Sequence, residues 1–137
     1  METRAKTPSI DVLDLQESVR ALGVEPAFDG DTLRFRMRVA GSHAGAFAIV
    51  ALLDAALRAE ASRIVHARGR EACDADFKVD HFAPVRPGQT LIATTRVQFE
   101  GTLSIILNAA IEVVETGEVA ARASSTFYMW LPEVQAA

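Results

Sequence analysis

The stretch GSHAGAFAIVALLDAALRAEAS, Gly41 to Ser62, constrains the fold more than any other part of the chain. It reads as one long helix opened by a loop of small residues. Between Ala46 and Leu57 every residue is apolar except Asp54. Phe47, Ile49, Val50, Leu52, Leu53, Ala56 and Leu57 run all the way round the cylinder instead of forming one stripe, so other structure is expected to wrap this helix on most sides. Burying a charged carboxylate in such a run costs on the order of several kcal/mol unless a partner offsets it. Asp54 therefore calls for a role. The flanks Val50, Ala51, Leu53 and Leu57 leave little room for a solvated face, which favours catalysis or ligand orientation; the competing reading is an i,i+4 ion pair with Arg58. Ser42, His43 and Gly45 stand where the first backbone N–H groups of the helix lack partners, and such an end attracts a carbonyl oxygen or an anion. An acid inside the helix and an open helix N-terminus are two parts of a hydrolytic site.

The rest of the chain supplies the wrapping. Residues 1–7 are polar and expected to be disordered. Ile10, Leu13, Val19 and Leu22 have helical spacing after the cap candidate Ser9, which predicts an N-terminal helix over 8–23. Phe28-Asp29-Gly30-Asp31 reads as a turn. Leu33, Phe35, Met37 and Val39 then alternate with Arg34, Arg36 and Arg38, a strand with one buried and one wet face. The three arginines read as a solvated face that discourages edge pairing, with ligand binding the other reading. Arg63 to Glu71 is expected to be a charged strand or loop. Beyond it, Phe77, Val79 and His81 fall on one side of a strand and Asp76, Lys78 and Asp80 on the other. Thr90 to Phe99 is predicted as a strand with Leu91, Ala93, Thr95, Val97 and Phe99 inward. Tight turns lead from it into Leu103 to Glu115 and then Val119 to Trp130, an antiparallel meander. This order predicts one domain over 1–137 of α+β class, an antiparallel sheet curled around one long central helix.

A net charge of −4 gives no electrostatic reason to expect nucleic acid or an anionic membrane as partner. Cys73 is the only cysteine, which excludes an intrachain disulfide and fits a reducing compartment. His43, His66 and His81 have no metal-ligand spacing with it, so no metal is expected. METRAKTPSIDVL lacks the cationic start and apolar run of a signal peptide, and Ala44 to Ala56 is too short to span a bilayer; the expectation is a cytoplasmic protein.

Two runs carry a resemblance. HAGAFAIVALLDAAL is similar to a small-residue turn, helix and internal acid written HGG followed by an apolar run and D or E; DADFKVDHFAPVRPGQTLIATTRV is similar to a strand, an F-x-x-P-V-x-x-G turn and the next strand. With GEVAARASSTFYM as the final strand, the chain from Leu33 to Tyr128 resembles the PaaI-like acyl-CoA thioesterases of the hotdog-fold superfamily. The resemblance implies a homodimeric or homotetrameric hydrolase with each site at a subunit interface, acting on acyl-CoA with no cofactor besides the CoA of the substrate. It implies that Asp54 is base or nucleophile and that a backbone N–H at the helix start polarises the thioester carbonyl. Asp54 follows His43 at a longer separation than the family's usual one. Alignment on Asp54 puts Gly45, Ala46 and Phe47 where HGG stands; alignment on His43 puts Leu52 at the acid position.

His43 either contacts the thioester or stabilises its loop, and Arg58 stands where some relatives carry a hydroxyl that holds the attacking water. Arg86 and Lys78 are candidates for the CoA phosphates, Lys78 also reading as plain surface charge. Phe47, Phe82, Phe99, Phe127 and Trp130 are candidates for lining the acyl tunnel, with Ser124, Ser125 and Thr126 beside it. His81 reads as a core histidine. Two other functions stay in view: a hotdog protein that binds acyl-CoA or another small ligand without hydrolysing it, and a hydroxyacyl dehydratase or hydratase. VDHFAPVRPGQTL superficially resembles the dehydratase H-F-P-G run, but there the run leads into the long helix, whereas here it leads into a strand.

Overall fold

Leu33, Phe35 and Met37 are buried and Arg34, Arg36 and Arg38 exposed along β2 (Thr32–Arg38), so the alternation in the sequence is the two-faced strand it predicts. The computed structural model describes residues 23–41 and 46–131. Before β2 lies β1 (Glu25–Asp29), and after it come α1 (Ala46–Ala67), β3 (Glu71–His81), β4 (Thr90–Glu100), β5 (Ser104–Val113) and β6 (Val119–Trp130). The six strands form one antiparallel sheet in the order β1-β2-β4-β5-β6-β3, with α1 packed on its inner face. This is the hotdog fold, and the expected meander is β4-β5-β6. The expected N-terminal helix over 8–23 lies outside the described residues except for Gly23. No helix among the described residues is long and apolar enough to cross a membrane.

The core fills the space between helix and sheet. Leu52, Leu53, Ala56 and Leu57 of α1 meet Leu33 and Phe35 of β2, Leu91 and Ala93 of β4, and Ile105, Leu107 and Ile111 of β5, all essentially inaccessible to solvent. Each leucine buried in this way contributes roughly 1.5–3 kcal/mol.

Five expectations need correction. Phe28-Asp29 is strand and not turn: β1 pairs Phe28 with Leu33 and Asp29 with Thr32, leaving only Gly30-Asp31 as the loop. Pro26 hides this strand from a propensity reading, and a proline is tolerated here because β1 is an edge. The helix does not stop at Ser62, nor is Arg63 to Ala67 a strand or loop. It continues to Ala67 because Arg63 pairs with Glu60 one turn back, and it ends at Gly69. There the Gly69 N–H donates to the His66 carbonyl and the Arg70 N–H to the Val65 carbonyl, both at 3.0 Å, a double cap that requires the left-handed φ of +63° at Gly69.

On β4, Val97 and Phe99 are exposed instead of inward. A bulge between them breaks the alternation, and the Phe99 ring folds over Gly101, where a Cβ would lie 2.8 Å from it. His81 is no core histidine: it is exposed at the end of β3. Finally, α1 is not enclosed on every side. Phe47, Val50, Asp54 and Arg58 form a stripe at helical spacing that stays open.

Candidate active site

Asp54 sits in the middle of that open stripe, its side chain 39% exposed. Its flanks Leu53, Ala55 and Leu57 are buried, so the carboxylate is the one polar group in an otherwise apolar turn. Arg58, one turn on, places its Nε 3.0 Å from one carboxylate oxygen and 3.1 Å from the other. The i,i+4 pair foreseen as the competing reading of Asp54 is therefore present. It satisfies the charge without a buried partner, and a pair this exposed contributes about 0.3–0.5 kcal/mol, too little to be the reason for the acid.

The guanidinium does not end there. Nη2 of Arg58 lies 3.3 Å from Oδ2 of Asp74 on β3, so a carboxylate, a guanidinium and a second carboxylate form a row from the helix to the edge strand. Asp74 escapes a sequence reading because alternation back from Phe77 puts it on the outer face. A bulge between Asp74 and Asp76 adds a residue and turns Asp74 inward, opposite Phe127. The only trace in the sequence is an acid inside a strand, where acids are disfavoured.

Arg58 and Asp74 also line a cavity of about 480 Å3 between the second half of α1, the start of β3 and the end of β6, closed on one side by Phe127 and Trp130. That volume suits a small-molecule group. Arg70 and His66 are basic residues of its wall.

The other expected site residues fall in several places. Ala46 opens α1 and is exposed, followed by Phe47, 64% exposed. His43 and Gly45 lie outside the described residues. Phe82 is exposed beyond β3, under the guanidinium of Arg122 at 5.9 Å from its ring centre. Arg86 is exposed in the β3–β4 connection, where its backbone N–H donates to the Gln89 side chain at 2.8 Å. Thr126 pairs with Asp76 on the outer face, and its N–H donates to the Asp76 carboxylate, whereas its neighbour Ser125 is buried on the inner face with its hydroxyl bonded to the Asp76 carbonyl. Lys78 lies on the outer face too, in a cleft of about 560 Å3 with Arg96 and Arg122. The described residues thus bring Asp54 and Arg58 together and add Asp74; Phe82, Arg86 and Thr126 lie elsewhere on the chain.

No family model matches the chain, and neither does any curated protein. Solved structures do resemble it. The PaaI protein of the Escherichia coli phenylacetic acid degradation operon is 19% identical, over 80% of this chain and 86% of that one, with a TM-score of 0.66. A conserved protein of Pseudomonas aeruginosa is 18% identical over 90% of this chain and 100% of that one, with a TM-score of 0.74. A hypothetical thioesterase of Streptococcus pneumoniae, solved with coenzyme A, is 14% identical over 81% of this chain and 88% of that one, with a TM-score of 0.65. At these identities the likeness establishes the hotdog fold.

Proposed function

We propose that this hotdog protein is an acyl-CoA thioesterase, hydrolysing a thioester to a free acid and CoA. The observation that carries the reading is Asp54: one carboxylate, in the apolar stretch of the central helix, on a stripe of that helix left open among the described residues. A carboxylate there acts as general base on a water or as nucleophile on the acyl carbon. The likeness in fold to a hypothetical thioesterase solved with coenzyme A supports CoA as the leaving group. Backbone N–H groups at the start of α1, among Gly45 and Ala46, are assigned the polarisation of the carbonyl oxygen, with His43 a further candidate from the sequence; Phe47 is assigned to the acyl group, and Phe82 and Arg86 to the substrate-binding surface.

Asp54 lies more than two helical turns from Ala46 on the same helix, so one chain's acid does not reach its own helix start. We therefore assign the active unit to a homodimer, in which the helix of a second copy brings its N-terminus to Asp54. The open stripe of α1 and the edge of β3, which no other described strand pairs, support that arrangement. The alternative is a protein that binds acyl-CoA without turnover, and the grip of Arg58 on Asp54 is the observation in its favour.

Release of free thiol from a panel of short, medium, long and aromatic acyl-CoAs separates the two. The proposal predicts turnover of at least one, reduced roughly a hundredfold or more in Asp54→Asn. Binding of acyl-CoA with no thiol above background, or full activity in Asp54→Asn, contradicts it.

A further inference from the structure

We infer that Asp74 is a positioning residue for Asp54: by holding Nη2 of Arg58, it keeps that guanidinium from closing a two-pronged pair on the Asp54 carboxylate. The inference rests on the thioesterase reading for its consequence, and on geometry alone for the clamp.

An arginine next to a carboxylate ordinarily offers two parallel N–H donors, one to each oxygen. Arg58 does not. Only Nε faces Asp54, at 3.0 and 3.1 Å from its two oxygens, while Nη2 is committed to Asp74 at 3.3 Å. One N–H shared between two oxygens is a bent and weaker hold than two straight bonds, and the outer lone pair of each oxygen stays open. A base that must take a proton from water, or a nucleophile that must reach an acyl carbon, needs a carboxylate held this lightly. If Nη2 were free, it would turn towards Asp54 and give each oxygen a straight donor of its own.

The chain reaches this arrangement by an irregular route. Without the bulge between Asp74 and Asp76, Asp74 would point to the outer face and Arg58 would have no second partner. Bulges of this kind re-aim side chains next to functional sites. Arg58 and Asp74 both line the 480 Å3 cavity, so the clamp sits where a ligand has access.

The test combines kinetics with structure. Wild type, Asp74→Asn, Asp74→Glu, Arg58→Gln and the double variant Arg58→Gln/Asp74→Asn are assayed on the thioester that turns over best, with thermal unfolding confirming that each is folded. Asp74→Asn is expected to lower kcat roughly ten- to a hundredfold, the scale of a reacting group held about an ångström out of place, with KM within about twofold. Asp74→Glu is expected to recover most of the loss. In the Arg58→Gln background Asp74→Asn is expected to change nothing further, because no guanidinium remains to be held. An equal loss in both backgrounds, or none in the presence of Arg58, overturns the inference.

A crystal structure of Asp74→Asn provides a readout free of activity. Nη2 of Arg58 within hydrogen-bond distance of Asp54 supports the clamp, and Nη2 left where it stands in the wild type refutes it. If wild type releases no thiol from any substrate, the thioesterase reading fails while this structure still decides the clamp.

Discussion

Three carboxylates do different work: Asp54 lies on the open stripe of α1, Asp74 reaches Arg58 from a bulge in β3, and Glu115 ties the start of β4 to the end of β5. The last is structural. Glu115 follows β5 and accepts the Thr90 backbone N–H on both oxygens, at 2.9 and 3.1 Å. That hydrogen bond holds the carboxyl below its ordinary value of 4.5, assisted by the charge of Arg38. A carboxylate with a lowered value in the fold gains its proton first in the unfolded chain as pH falls, so acid draws the equilibrium towards unfolding. Wild type is therefore expected to be more stable than Glu115→Gln above pH 4.5, with the difference shrinking as pH falls through the lowered value. Urea denaturation at a series of pH values reads it; a difference that grows on acidification contradicts the assignment.

Among the elements, α1 follows its composition most closely and departs from it most usefully. Its apolar residues do predict burial, and Ala48, Leu52, Leu53, Ala56 and Ala59 are inaccessible. Periodicity alone does not show which stripe the sheet leaves uncovered, because Phe47 and Val50 are as apolar as their buried neighbours. The last turn escapes notice for a different reason. Arg63 and His66 look like loop, yet Arg63 is neutralised on the helix by Glu60, and a histidine in the last turn suits the negative end of the helix dipole. The cap at Gly69 then fixes the sharp reversal into β3 that brings Asp74 alongside Arg58. Gly69→Ala places a Cβ in a left-handed conformation and is expected to lower stability by about 1–2 kcal/mol, measured by chemical denaturation. An unchanged midpoint would mean that the turn relaxes at no cost.

For the whole molecule, the order of helix and strands in the sequence is enough to predict a sheet curled round a helix, because a helix apolar on most of its sides has few other ways to be covered. What the order does not contain is the pair of unequal edges. β1 is short and blunted by Pro26, whereas β3 runs for 11 residues and, among the described residues, pairs only with β6. Asp74 ties the open stripe of α1 to that same edge. A second copy meeting this side would pair β3 and cover Phe47, 64% exposed, and Val50, 37% exposed. Sedimentation equilibrium is expected to give a dimer or a tetramer for wild type and a folded monomer for Val50→Asp; a monomeric wild type contradicts the shared site.

Asp54 is proposed to face the reacting carbonyl of a bound thioester. A crystal structure with a nonhydrolysable acyl-CoA analogue, its thioester sulfur replaced by a methylene, decides the matter. The analogue's carbonyl carbon is expected within about 3–3.5 Å of an Asp54 oxygen or of a water that Asp54 holds. Its carbonyl oxygen is expected on the helix N-terminus of the second copy. An analogue bound on the outer face of the sheet, or with its carbonyl remote from Asp54, would overturn the proposed role of Asp54.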